Sequence, residues 1–425
     1  MKVFKFGGAS IRNSAAITNI STLLKKYAGQ QIVVVVSAMG KTTNNLEFVF
    51  QNQQKGEPWQ TQLQQVMAYH NNICQELFDS SHQIFGQLSS LHQQLKSILQ
   101  NPAYQPQQEA APAFVYDQVV SFGEIISSTI VAALLNSKGL ETTWADARLL
   151  VKTDATHREG KVNWQTTENK ISQDVPNMLS KGLVLTQGFL GGAPNGATTT
   201  LGREGSDFTA AIFGTCLSAQ EVVIWKDVPG VLNADPRRLA NTTQFKELSY
   251  REAAELTYYG ASVIHPKTIK PLADKNIPLY VRSFTNAEVP GTCIHGKGGQ
   301  YTIPTIVFKA NQCLLSFKVR DLSFIGSKHI KQLFDEIERL NIHVNLTQQS
   351  ATSLSVLTDY HEAQTPQLIK RLQAQFNVFF NYGLELVTIK NYNQAIVDEV
   401  TNNKQVLLQQ TTRRSARIVL EAASN

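Results

Sequence analysis

The chain is poor in cysteine, in charge and in long apolar runs. Four cysteines, Cys74, Cys216, Cys293 and Cys313, are spread over 425 residues. They form no Cys-x-x-Cys and have no histidine at metal-ligand spacing. A disulfide scaffold and a zinc site are therefore not expected, and a reducing cytoplasm is. No apolar run reaches the ~20 residues that span a bilayer. The N-terminus, Met1-Lys2-Val3-Phe4-Lys5, starts without an apolar secretory segment. No membrane partner is expected. Charged residues make up 17%, against about 25% in ordinary globular chains, so the solvated face must draw on Gln, Asn, Ser and Thr. The net charge is +6, but the basic residues are scattered. Arg413, Arg414 and Arg417 are the densest group, and no basic stripe interleaves with aromatics. Anionic small ligands fit this balance; a nucleic-acid partner does not.

What is present reads as alternating strands and helices. The length suits two or three domains. Val3–Phe6 and the β-branched run Ile32–Val36 read as buried strands that end in glycine turns and open helices. Residues 51 to 108 read as helices with polar faces, since Leu88, Leu91, Leu95 and Leu99 recur at helical spacing. A helix is expected from near Ser121 to Leu135. Strands are expected at Thr142–Trp144, Leu183–Leu185, Val222–Trp225 and Leu279–Val281, with a long glycine-rich loop between Gly188 and Gly202 and helices near Ser206–Leu217 and Tyr250–Tyr259. This alternation predicts an α/β sandwich on a mainly parallel sheet, with ligand loops at the carboxyl ends of its strands. After about Gly299 the texture changes to strand, helix, strand, strand, helix, strand. A shorter helix–strand–strand echo follows, read as a weak repeat of a ferredoxin-like α+β unit whose second copy is short.

Three polar turns carry candidate chemistry. In Lys5-Phe6-Gly7-Gly8-Ala9-Ser10, two glycines let the backbone approach a phosphate and Lys5 adds a point charge; a plain tight turn is the alternative. In Ser37-Ala38-Met39-Gly40-Lys41-Thr42-Thr43, hydroxyls sit by a strand end, where they bind a carboxylate or cap a helix. A P-loop is excluded, because Val35 stands where that motif needs glycine. In Thr200-Leu201-Gly202-Arg203-Glu204-Gly205-Ser206-Asp207, glycines flank an arginine suited to bidentate grip of a carboxylate. Asp207 is otherwise an ordinary helix N-terminal acid. No Gly-x-Gly-x-x-Gly follows a strand, so NAD and a dehydrogenase activity are not expected.

Together these blocks resemble the aspartokinases of the amino acid kinase family. The likeness is carried by KFGGAS at 5–10, SAMGKTTN at 37–44, Gly123-Glu124, TLGREGSDFTAA at 200–211, WKDVPGVLNADPR at 225–237 and ELTYYGASVIHP at 255–266. It spans most of residues 1–295, and the tail resembles the ACT regulatory region of those enzymes. The resemblance implies an amino acid kinase domain over 1–295, an ACT unit over 305–383 and a shortened one over 384–425. It implies transfer of the γ-phosphoryl group of MgATP to the β-carboxylate of L-aspartate, with Mg²⁺ held mainly by the ATP phosphates and no metal ligands of its own. The acceptor is ionised at pH 7, so no general base is needed, only positioning and charge neutralisation.

By the same resemblance Lys5 and Asp207 are catalytic. Lys5, Gly7, Gly8 and Ser10 hold phosphates, and Lys226, Asp227, Asp235, Arg237 and Ser262 line the nucleotide site. Ser37, Thr43 and Arg203 hold the substrate carboxyl groups, and Glu124 its ammonium, unless Glu124 is only a helix N-terminal acid. His265-Pro266 reads as a helix-ending turn, and Tyr258 and Tyr259 as packing residues. A homodimer or larger oligomer joined through ACT units is expected. Rival readings are a kinase for another acidic substrate such as glutamate and a non-catalytic amino-acid sensor.

Departures from the family pattern sharpen the expectations. Ala9 replaces the usual threonine, a loss of one hydrogen bond and about 0.5–1.5 kcal/mol. Ser262 stands where many members carry lysine, and Lys226 where many carry threonine, so Lys226 is expected to restore the missing charge. The effector pattern V-D-L-x-x-x-S-E appears as Val344-Asn345-Leu346-Thr347-Gln348-Gln349-Ser350-Ala351. Both carboxylates that would hold a cationic effector are gone. Weak or no inhibition by lysine is expected; threonine remains open as an effector.

Overall fold

A computed structural model describes all residues except 107–110, 240, 262–263, 300, 322 and 422–425. It divides into two compact units. The first comprises Met1–Val231, Gln244–Ala254 and Ser262–Gln300; the second comprises Leu232–Thr243, Glu255–Ala261 and Tyr301–Asn425.

The first unit is built on β1 (Lys2–Phe6), β2 (Ile32–Val36), β3 (Thr142–Ala145) and β4 (Leu183–Gln187), a small hairpin β5 (Leu190–Gly192) and β6 (Thr198–Thr200), then β7 (Glu221–Lys226), β8 (Glu247–Ser249), β9 (Leu279–Ser283) and β10 (Thr292–His295). The main sheet runs β3-β4-β2-β1-β7-β9-β10-β8. All neighbours pair in parallel except β9 with β10. Every residue of β2 is buried, as a run of valines covered on both faces by helices requires. Phe4, Phe6 and Trp225 belong to the main core, and the Phe6 and Trp225 rings stack at 6.1 Å.

The Gln-rich segment forms helices Gln60–Leu77 and Ile84–Gln100, as the leucine spacing predicts. The expected helix from Ser121 begins earlier. Pro112–Val120 and Phe122–Ser137 form one nearly continuous helical arm, kept together by helical backbone at Ser121. This arm is long and apolar enough to cross a membrane, yet 83% of its apolar window is buried within the fold, where it serves as a core helix. The expected loop from Gly188 to Gly202 contains the β5–β6 hairpin. Its three-residue strands are too short for a period-2 pattern. Gly192 is needed there because a Cβ would lie 2.1 Å from the Arg148 carbonyl oxygen. Helices Trp164–Leu179 and Pro266–Asp274 were not anticipated.

The second unit is a six-stranded antiparallel sheet of β11 (Thr305–Val319), β12 (Val344–Gln349), β13 (Ser353–Asp359), β14 (Phe376–Lys390), β15 (Val406–Thr411) and β16 (Ser415–Glu421), ordered β12-β13-β11-β14-β16-β15. β11 and β14 are each 15 residues long and pair along nearly their whole length, with irregular register around Lys309–Leu314. The two expected strands Cys313–Val319 and Leu384–Ile389 are halves of these long ones. The second helix–strand–strand copy lies beside Leu384–Lys390, whose outer neighbour is Thr305–Lys309. Its fourth strand thus comes from sequence ahead of the first copy. Within this unit Tyr258, expected to pack, is 57% exposed, while Tyr259 lies under the Arg417 guanidinium at 5.6 Å.

One buried group in the first unit makes the fold sensitive to acid. His70 is fully buried. Its Nδ1 lies 2.8 Å from the Val66 carbonyl oxygen and its Nε2 lies 3.4 Å from the Thr42 hydroxyl. Burial, helped by the nearby His92, lowers its pKa from 6.5 to about 4 against the opposing backbone bond. The unfolded chain therefore binds the extra proton first. Stability from this residue is whole above pH ~6.5 and falls by up to about 3 kcal/mol as pH drops toward 4. Urea unfolding at pH 7.5 and 4.5 is expected to show this loss in the parent chain, and a clearly smaller pH difference in His70→Gln.

Candidate active site

The site is assembled where β4, β2, β1 and β7 end side by side. Lys5 sits on β1 between Val35 and Ile224, and the two glycines that follow turn the chain across the sheet end. The Gly40 amide donates to the Gly8 carbonyl at 3.1 Å and the Ser37 amide to the Phe6 carbonyl at 3.1 Å, which locks the first two turns together. A Cβ on Gly8 would lie 2.7 Å from the Ala38 carbonyl oxygen and 2.9 Å from that of Gly40. The close approach therefore dictates glycine. On the other side, a Cβ on Gly123 would lie 2.9 Å from the Ala38 Cβ. The 37–41 turn is thus held between the first turn and the helix that carries Glu124.

Charge is concentrated at this point. Asp207, 3% exposed, opens the helix Gly205–Cys216 and meets the Lys5 ammonium at 2.6 Å. The Lys226 ammonium, at the end of β7, lies 3.7 Å from its other oxygen. Burial works against ionisation of Asp207. The two lysines outweigh it and hold the carboxyl below the usual carboxylate range.

Glu124 differs. It is 3% exposed and one oxygen accepts a 3.2 Å bond from the Ala38 amide. The other has no hydrogen-bond partner among the described residues. Burial pushes its pKa from 4.5 up to about 8, although the Ala38 bond and the Lys5 charge pull downward. Two buried carboxyls near one lysine thus differ in state at neutral pH, because one has close cationic partners and the other waits for one.

The remaining predicted residues divide. Gly7 lies beside the Lys5 ammonium, 3.5 Å from where its Cβ would be. Ser10 is buried and its hydroxyl donates to the Trp225 carbonyl, tying the first turn to β7. The Ser37 carbonyl accepts from the Ser127 hydroxyl, which leaves the Ser37 side chain half-buried at the strand end. Thr43 is half-buried in the first turn of helix Thr42–Lys55, while Thr42 is buried and donates to the Met39 carbonyl at 2.7 Å. Arg203 is exposed, with no ion pair among the described residues. Asp227 is exposed too. Asp235 and Arg237 belong to the second unit, where they pair through two guanidinium bonds of 3.0 and 2.7 Å. Ser262 lies outside the described residues. His265 caps the start of the helix Pro266–Asp274 by accepting from the Lys267 amide at 3.2 Å; the His-Pro pair thus opens a helix where a helix-ending turn was expected, because proline fits the first helical position.

One contributor escaped sequence reasoning. Lys267 is half-buried and donates to the Leu201 carbonyl at 2.8 Å, bracing the turn that carries Arg203. A lysine just after His-Pro gives no hint of this, because its target is 66 residues away.

An α/β unit that gathers glycine turns, two lysines and a buried aspartate at its strand ends has the parts of a phosphoryl-transfer enzyme. The amino acid kinase family model matches residues 1–283, and the chain belongs to that family. It is 29% identical to the bifunctional aspartokinase/homoserine dehydrogenase 1 of Arabidopsis thaliana over 88% of this chain and 42% of that protein. It is 28% identical to the lysine-sensitive aspartokinase 3 of Escherichia coli, over 91% of this chain and 86% of that one. The chain spans less than half the length of its bifunctional plant relatives. The crystal structure of E. coli aspartokinase III in complex with aspartate and ADP superposes with a TM-score of 0.84, at 26% identity, over 99% of this chain and 96% of that chain.

The raised pKa of Glu124 has a sign that can be checked. Its folded value, about 8, lies above its ordinary 4.5. Its contribution is therefore whole below pH ~4.5 and is lost as pH rises through 8, a cost of a few kcal/mol. Glu124→Gln is expected to raise the thermal midpoint, and to do so more at pH 9 than at pH 5. Differential scanning fluorimetry across that range checks it.

Proposed function

We propose that this chain is an aspartate kinase that transfers the γ-phosphoryl group of ATP to the β-carboxylate of L-aspartate, giving 4-phospho-L-aspartate for lysine, threonine and methionine synthesis. The observation that carries the reading is Glu124. A buried carboxyl with one oxygen unpaired, near a lysine-held aspartate, suits the ammonium of an amino-acid substrate. The likeness to E. coli aspartokinase III, crystallised with aspartate and ADP, supports it.

In this reading an oxygen of the substrate carboxylate forms the new bond to the γ-phosphorus, and the bond from that phosphorus to the bridging oxygen breaks as ADP leaves. No proton moves, since the acceptor is already ionised. The chain's task is alignment and charge neutralisation. Lys5 and Lys226 face the transferring group, and Asp207 orients both. Gly7 and Gly8 let the backbone approach the phosphates, beside the turn that Ser10 ties down. Arg203, Ser37 and Thr43 take the substrate carboxyl groups. Asp227 and Ser262 are assigned to the nucleotide. Mg²⁺ held by the ATP phosphates would supply further charge neutralisation.

The kinase domain is placed at 1–295 and the ACT units at 305–383 and 384–425, with the strand Thr305–Lys309 serving the latter. Four free cysteines suit a reducing cytoplasm. Homo-oligomerisation is assigned to the free edge of β14, where Phe379, Phe380 and Tyr382 are 61%, 47% and 42% exposed and, among the described residues, β11 alone pairs with residues 376–381. An unpaired edge of this kind recruits another strand.

Lysine is not expected as an effector. Asn345 is 6% exposed, and its amide donates to Gln312 at 2.7 Å and Asp359 at 3.0 Å. The Lys309 ammonium already pairs with Asp359 at 2.7 Å.

Incubation with MgATP, L-aspartate and hydroxylamine is expected to give aspartyl hydroxamate. Product from glutamate alone would select the rival kinase, and none from either would select the sensor. Lys226→Ala is expected to raise the Michaelis constant for ATP about tenfold or lower turnover similarly; unchanged values would remove Lys226 from the site. Lysine titrated to about 1 mM is expected to leave the activity above half.

A further inference from the structure

Asp117 lies outside every motif discussed above, yet it is completely buried and its carboxylate is fully engaged. It accepts from the Thr200 hydroxyl at 2.6 Å, from His157 Nδ1 at 2.8 Å and from the Arg158 amide at 3.0 and 3.2 Å. These partners lie in a strand end and in a separate loop, and both lead to the same place. Thr200 is the last residue of β6 and immediately precedes the turn that presents Arg203. The 157–160 loop packs on that turn from outside. The Gly160 amide donates to the Thr200 carbonyl at 2.8 Å, and a Cβ on Gly202 would lie 3.3 Å from the Arg158 carbonyl oxygen.

The turn itself is held in an unusual backbone shape. Gly202 has φ +71° and Glu204, which is not glycine, has φ +53°. A left-handed non-glycine residue persists only where its surroundings impose it. Asp117 fixes the chain just before the turn, and the Lys267 bond to Leu201 fixes it from the far side.

We infer that Asp117 is a positioning residue for recognition of the amino-acid substrate: through Thr200 and the 157–160 loop it sets where Arg203 stands relative to Glu124. Asp117 and Glu124 share one helical arm, spanning Pro112–Val120 and Phe122–Ser137. The spacing between the group that holds the substrate carboxyl and the group that holds its ammonium is therefore set by a single rigid element. Among the described residues, β1 and β7, on the nucleotide side, make no bond to Asp117. The inference rests on the aspartate kinase reading, since it assigns Arg203 and Glu124 to one substrate.

Steady-state kinetics of the full chain test it, with both substrates varied. Asp117→Asn is expected to raise the Michaelis constant for aspartate about tenfold while that for ATP stays within twofold. Thr200→Val is expected to do the same by about fivefold, and Thr200→Ser, which keeps the hydroxyl, to stay near the parent. Thr200→Val and Thr200→Ser decide the matter if Asp117→Asn does not fold. An equal rise for both substrates, or a lowered thermal midpoint with an unchanged aspartate constant, would reduce Asp117 to a structural residue and overturn the inference. An unaltered parent that makes no aspartyl hydroxamate would overturn the kinase reading, and this inference with it.

Discussion

The first unit depends on how it treats charge removed from water at the end of β1. Burying an ionised carboxylate is costly unless a cation stands beside it. Lys5 is the common neighbour of two such groups and satisfies only one of them at short range. Asp207 has Lys5 at 2.6 Å and Lys226 at 3.7 Å and stays ionised. Glu124 has neither within ion-pair distance, and burial drives its pKa to about 8. In the proposed reading this asymmetry places a cation-seeking carboxyl near the lysines that would meet a phosphate, as phosphorylation of a zwitterionic amino acid needs.

This arrangement survives because the backbone around it has little freedom. Gly8 and Gly123 press the 37–41 turn from opposite sides at distances no side chain would allow. The Gly188 amide donates to the Val36 carbonyl, which joins the end of β4 to that of β2. In the second unit the same economy takes another form. Two long strands serve both halves of the sheet, and Lys309, Gln312, Asn345 and Asp359 satisfy one another.

Much of the first unit was legible because its signals are local. The strands Val3–Phe6 and Ile32–Val36 announce themselves by unbroken apolar runs. The glycine turns sit where those runs stop. Lys5 and Asp207, named from separate motif blocks, meet at 2.6 Å. What stayed hidden depends on contacts between distant segments. The β5–β6 hairpin is too short to show alternation. The supply of Thr305–Lys309 to the second helix–strand–strand copy reverses chain order, so counting strands along the sequence makes that copy look incomplete. Asp117 and Lys267 were invisible for the same reason, since their partners lie 83 and 66 residues away. Arg203 was named from its glycine neighbours and from the resemblance of its block. The left-handed Glu204 beside it gives no signal in the sequence, since glutamate rarely adopts that conformation.

The central claim is that Glu124 is neutral until a substrate ammonium ionises it, and calorimetry can read that proton directly. Titration of L-aspartate into the protein at pH 7, repeated in buffers of different ionisation enthalpy, is predicted to show release of close to one proton per site. Glu124→Gln is predicted to release none. A binding enthalpy that does not vary with the buffer, in a protein that still binds aspartate, would contradict the account.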